Sequence, residues 1–264
     1  MVTIAENRTG RVGVLLRDWR QRRRLSQMEL ALEAGVSTRH LSFVETGRAR
    51  PSADMVLHLA DQLQVPLRER NDLLLAAGYA PRFAARTLDD PELSPVREAL
   101  GHVLAGHEPF PALAVNRQWE LVASNAALTP LLDGVADELL APPVNVLRVA
   151  LHPQGMAPRI LNLAQWRGHL LARLAREIRL TGDDRLAALH QELRGYPGPP
   201  GSEAEPVLDA TAIMVALHLS SPDGPLRFFS TVTTFGTPVD VTVSELSVEA
   251  FFPADAGTAA RLRT

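Results

Sequence analysis

Over residues 11–77 apolar side chains recur at helical spacing in short runs. From about residue 110 that spacing alternates with stretches of two-residue period. In 11–24 (RVGVLLRDWRQRRR), Val12, Leu15, Leu16 and Trp19 fall on one side and Arg residues fill the other, predicting an amphipathic helix. Ser26 and Glu29 form a capping box ahead of a helix over 27–34, which Gly35 ends where a left-handed residue costs least. Ser37 caps a third helix over 38–46, stopped by Gly47. Ser52 caps a fourth over 53–63, and Pro66 stands at the start of a fifth over 67–77. Five short helices with short connections predict a compact all-α domain.

Residues 78–98 (GYAPRFAARTLDDPELSPVRE) contain Pro81, Pro91, Pro95 and adjacent acids, and predict a linker leading into a helix over 95–106. PALAV (111–115) and WELVAS (119–124) read as strands of a hairpin turning at Asn116-Arg117-Gln118. Helices are expected over 125–132, 160–180 and 184–194, and an exposed loop over 196–206. IMVALHLS (213–220), the turn Pro222–Pro225 and LRFFSTVTTF (226–235) predict strand, turn and strand. Residues 245–252 alternate: Leu246, Val248, Ala250 and Phe252 share one face, Glu245, Ser247 and Glu249 the other, as in a half-buried antiparallel strand.

A chain of 264 residues favours two domains. Net charge is −3, but residues 1–86 hold 14 Arg against 9 acids, leaving the remainder acidic. A basic front and an acidic back suggest that only the first domain faces nucleic acid. All 27 basic residues are Arg, the residue suited to bidentate contacts with phosphates and base edges. With no cysteine there is neither disulfide nor thiolate metal site. No apolar run is long enough for a bilayer and the start lacks a signal peptide's apolar stretch, so the expectation is a cytoplasmic protein without a membrane partner. Eight scattered His form no metal-ligand spacing, and no nucleophile-elbow or phosphate-loop motif occurs. The chain is therefore not expected to be an enzyme or to require a cofactor or metal.

The segment LSQMELALEAGVSTRHLSFVETGRARPSADMVLHLADQL places Leu30, Ala31, Gly35, Val36 and Leu41 at helix-turn-helix spacing, where a small residue and a glycine let two helices cross closely. This segment resembles the Xre family, which shares its domain with the lambda-type phage repressors. The resemblance implies that double-stranded operator DNA is the partner. It implies that Gln27 grips phosphate, that Thr38, Arg39 and His40 face base edges with Ser42 one turn on, and that Arg48 and Arg50 contact the backbone. Ser37 joins this set at the first turn, although Ser26, Ser37 and Ser52 read first as helix caps. Arg20 and Glu45 match a buried structural ion pair in relatives. The Arg22-Arg23-Arg24 run reads as a solvated helix end, with nonspecific phosphate attraction the alternative.

PALAVNRQWELVASNAALTPLL looks like the entry to a PAS-type fold, with Asn125 placed to cap a helix and tie it to the preceding strand. NVLRVALHP, ILNLAQWRGHLLARL, DDRLAALHQEL and FFSTVTTFGTPVDVTVSEL resemble the MmyB-like ligand-binding domain. That resemblance implies an antiparallel sheet with helices packed on one face and a small apolar ligand, such as a fatty acid, between them. Trp166, Leu170 and Leu174 recur at i, i+4 and i+8, Phe228 and Val232 share a strand face, and Leu246 and Val248 share another. With Val115 and Asn125 these are the candidate ligand residues. The expected architecture is an all-α five-helix lambda-repressor-like DNA-binding domain (1–80), a linker (81–94) and an α+β PAS-like domain with an antiparallel sheet (95–264). The expected function is a homodimeric, sequence-specific transcriptional regulator sensing an apolar ligand. A C-terminal domain serving only dimerisation or partner docking remains the alternative.

Overall fold

The computed structural model describes residues 3–198 and 215–263, with side chains from residue 11 onward. The chain folds into two compact units, Met1–Arg86 with Pro238–Ser244, and Thr87–Thr237 with Glu245–Thr264.

The first unit is helical: α1 (Thr3–Arg22), α2 (Gln27–Glu33), α3 (Thr38–Glu45), α4 (Ala53–Gln62) and α5 (Leu67–Ala76). The three serine caps form as expected, accepting from the backbone N–H of Glu29, His40 and Met55. Gly35 and Gly47 take left-handed φ values of 62° and 73° where α2 and α3 end. α1 starts at Thr3 rather than Arg11, because the preceding residues carry no apolar stripe that would have announced them. The core joins Leu16, Leu30, Leu41, Val44, Leu59 and Leu73, all essentially inaccessible.

A late segment completes this unit. The short helix Val241–Ser244 buries Val241 and Val243. Val241 N–H donates to the Ala84 carbonyl at 2.7 Å, and Arg86 pairs with Asp240 at 3.0 Å. Asn71 holds the approach to this junction, accepting from the N–H groups of Arg82 and Phe83 and donating to the Phe83 carbonyl. Within the stretch expected as a linker, Pro91–Leu93 form a 3₁₀ turn capped by Asp90.

The second unit begins with α6 (Ser94–Ala105), followed by β1 (Ala112–Val115) and β2 (Leu121–Ser124). A 3₁₀ segment (Ala126–Leu132) leads to α7 (Asp137–Leu140), α8 (Val146–Leu151), α9 (Leu163–Thr181) and α10 (Asp184–Arg194). Then come β3 (Leu217–Leu219), β4 (Leu226–Thr234), β5 (Ser247–Pro253) and a terminal helix, Ala256–Arg261. The five strands form one antiparallel sheet in the order β2-β1-β5-β4-β3, a PAS-like arrangement. The expected strand 213–220 is shorter, and its first two residues and most of the 196–206 loop lie outside the described residues.

Two expectations are corrected. Helices do not cover only one face. Leu100 and Leu104 of α6 pack on Ala112, Ala114 and Val248, whereas Leu113, Val115 and Phe228 pack into the core shared with α8, α9 and α10. Burial on both faces is why β1 reads as an unbroken apolar run. The hairpin turn is also longer than Asn116–Gln118. Asn116 Oδ1 accepts from the N–H groups of Gln118 and Glu120, and Trp119, expected in the strand, sits in the turn at φ 63°.

Candidate functional site

In the helical unit one carboxylate fixes the recognition helix α3. Glu45, at its end, is nearly inaccessible and accepts Arg20 Nε at 2.7 Å, Arg20 Nη2 at 2.9 Å and Gln27 Nε2 at 2.8 Å. These bonds join α1, α2 and α3. The hydrogen bond to Glu45 and its charge raise the Arg20 pKa despite the burial that opposes them. Gln27, expected on phosphate, thus spends one amide hydrogen internally and keeps the second. Ser37 Oγ caps α3, and Thr38, Arg39 and His40 stand exposed on its first turn. The Arg39 guanidinium lies 5.4 Å from the Phe43 ring centre, which steadies it at the surface. Ser42 is half-buried and Arg48 exposed. Arg50 is held within the unit, donating to the Ala77 carbonyl at 3.2 Å and lying over Tyr79. Of the arginine run, Arg23 caps the end of α4 by donating to the carbonyls of Leu63 and Gln64, and burial lowers its pKa.

The second unit holds a partly open cavity of ≈ 270 Å³ between the sheet and the α8–α9 layer. Its wall is apolar, including Leu113, Leu128, Leu147, Met156, Ile160 and Phe251, and among the described residues Glu249 is the one ionisable residue on it. Trp119 lines one end. Its indole N–H donates to Glu177 at 2.8 Å, and the Arg173 guanidinium lies 4.3 Å over its ring. The left-handed backbone at Trp119 is what turns the ring inward, at a cost of order 1 kcal/mol. Glu249 is 6% exposed and accepts from Ser230 Oγ at 2.9 Å and Arg173 Nη1 at 3.3 Å. Burial raises the Glu177 pKa, opposed by the Trp119 hydrogen bond and by Arg173.

The expected ligand residues divide accordingly. Trp166 and Leu170 line the cavity. Val115, Leu174 and Phe228 belong to the surrounding core without forming its wall. Asn125 makes no helix cap. It accepts from Ala112 N–H and donates to the Leu104 and Phe110 carbonyls, tying β1 to the end of α6. Val232 shares a face with Phe228 but is 46% exposed. Val248 packs under α6 on the opposite face, and Leu246 is buried away from the cavity wall. The alternation in β5 separates two faces, but both are covered instead of one: Val248 packs under α6, and the side carrying Glu249 and Phe251 meets the cavity. Residues 128–160 supply much of the wall and were missed, since Pro130, Pro142, Pro143, Pro153 and Pro158 break them into pieces too short for a period. Among the described residues no group of three or more His, Asp or Glu could hold a metal, and no helix is long and apolar enough to cross a membrane.

A helix-turn-helix unit joined to a unit with an apolar cavity defines a transcription regulator that responds to a ligand. Residues 11–73 match a family model described as a helix-turn-helix domain, and residues 96–264 match one described as the MmyB-like transcription regulator ligand binding domain. The chain belongs to this MmyB-like family, and DNA and a small molecule are accordingly its partner classes. No curated protein matches it.

Proposed function

We infer that the protein is a homodimeric, cytoplasmic regulator that binds a roughly palindromic operator and changes its occupancy when a small apolar molecule of the fatty-acid kind enters the second unit. DNA is read by Thr38, Arg39 and His40, with Gln27, Ser37, Ser42, Arg48 and Arg50 positioning the helix on the duplex. The operator is read by the helical unit, Met1–Arg86 with Pro238–Ser244, and the ligand is held by the unit of Thr87–Thr237 with Glu245–Thr264. No cofactor is required and no reaction is catalysed.

The observation that carries the sensing role is the cavity. Its ≈ 270 Å³ and apolar wall suit a small apolar molecule. Trp166 and Leu170 of the expected stripe contribute to its wall. Binding becomes regulation only if the ligand prefers one of two dimer arrangements. The test is a titration of the full chain with saturated fatty acids of graded length, reading thermal stability and operator affinity together. A maximum at the same chain length in both readouts is expected. No response in either at any length would remove the sensing role and leave dimerisation as the work of the second unit.

A further inference from the structure

We propose that Pro238–Ser244 is the output of the sensor: occupancy of the cavity reaches the operator-reading unit along this segment, and it enters from the segment's C-terminal end. The proposal rests on the sensing role argued above and names the stretch of chain that carries it.

The segment is built into the helical unit by more than its two valines. Asp240 is buried; its Oδ1 accepts from Thr242 N–H at 2.8 Å and its Oδ2 from Arg86 Nη1 at 3.0 Å. Thr242 Oγ1 donates to the Arg86 carbonyl, and Ala84 and Asp240 form an isolated parallel bridge. The helix Val241–Ser244 packs on α5, whose Leu73 shares a core with Leu41 and Val44 of α3. A shift of the segment is therefore felt in the packing behind the reading helix, because a close-packed core transmits strain.

The two ends of the segment differ. β4 stops at Thr234, and Gly236 and Thr237, just before the segment, are exposed. After Ser244 only Glu245 and Leu246 precede β5, and both are fixed in the sheet-containing unit. Glu245 pairs with Arg117 at 3.3 Å, Arg117 pairs at 2.8 Å with Asp183, the cap of α10, and Leu246 is buried. β5 is the middle strand of the sheet, and its Glu249 and Phe251 form part of the cavity wall. A ligand that moves β5 thus draws on the segment through two residues without slack, whereas the exposed end can yield. Coupling of this kind is one free energy shared by two sites, so the operator must change the affinity for the ligand by the same factor.

The experiment uses the full chain with Gly-Gly inserted either between Ser244 and Glu245 or between Gly236 and Thr237. Operator affinity is measured with and without each saturated fatty acid from octanoate to hexadecanoate, and calorimetry gives the affinity for the acid. In the unaltered protein the tightest-binding acid should change operator affinity about fivefold or more. The insertion after Ser244 should cut that change to about twofold or less, with ligand-free operator affinity and acid affinity each within about threefold of the parent. The insertion after Gly236 should keep the full change. An undiminished response after the Ser244 insertion, or equal loss in both variants, would overturn the route. Should the Ser244 insertion itself cost folding or either binding activity, hydrogen exchange in the unaltered protein decides. The acid should alter exchange of the Val241 N–H by about threefold or more, and unchanged exchange there would overturn the route as well. If no acid changes operator affinity in the unaltered protein, the sensing role fails and the route with it.

Discussion

Gly13 lies where α1 crosses α3, and a Cβ built there would stand 2.4 Å from the Val44 carbonyl oxygen and 2.7 Å from that of Glu45. Both obstacles are backbone, so neither can rotate aside. Gly13→Ala should destabilise the helical unit by ~1–3 kcal/mol, the usual cost of overpacking, read as a lowered urea midpoint. The sequence marks Val12, Leu15, Leu16 and Trp19 as a stripe, yet nothing in it distinguishes this glycine, because close approach belongs to the partner helix. The serine caps were legible for the opposite reason: each bonds a backbone group three residues away. On the DNA face, Arg39→Ala should cost ~1–3 kcal/mol on the preferred operator and relax selectivity at one base pair, whereas Arg48→Ala should weaken all sequences alike and reduce the salt slope by about one. Binding-site selection at two salt concentrations separates the two, and unchanged sequence preference in Arg39→Ala would remove it from the base-reading set.

At the level of elements, the Arg20–Glu45–Gln27 cluster sets how α3 is presented. Removing the charge at Glu45 leaves Arg20 buried and uncompensated, so Glu45→Leu should lose ~3–5 kcal/mol of stability. Thermal denaturation followed by circular dichroism checks this. In the second unit, burial raises the pKa of Glu177 in the folded state above its unfolded value. The folded state then keeps this proton to higher pH than the unfolded state. The stabilising contribution is complete below the unfolded pKa and is lost as pH rises through the folded one. Glu177→Gln, which retains an acceptor for Trp119, should match the parent at low pH and melt increasingly above it as pH climbs through and beyond the carboxylate range. An equal melting difference at every pH would contradict this reading. The β5 strand shows what a sequence conveys about such a site. Period-two alternation identified the strand and its two faces, but which of the two covered faces meets the cavity depends on where α6 and α9 pack, and those contacts are remote in the chain.

For the whole molecule, the division into a basic helical unit and an acidic sheet-containing one was legible from charge and from the change of period near residue 110. The contribution of Pro238–Ser244 to the helical unit was not. A short segment with two valines carries no sign of its destination, and its partners Ala84 and Arg86 are over 150 residues away. A fragment of residues 1–86 should accordingly bind operator DNA but melt below the same unit in the full chain, because it lacks the cover of Val241 and Val243. Equal stability of fragment and full chain, each followed by hydrogen exchange at α5, would show that this cover is dispensable.

That late segment also fixes an order in time. A ribosome adding roughly 5–20 residues per second needs about 8–30 s to travel from residue 86 to residue 244. Throughout that interval the nascent helical unit is short of its last piece, and almost the entire second unit has been synthesised before the piece emerges. A transcript broken or stalled before codon 238 therefore yields a DNA reader without its last piece, whereas one broken just after codon 244 yields a completed reader joined to a ligand-binding unit that lacks β5, the middle strand of its sheet.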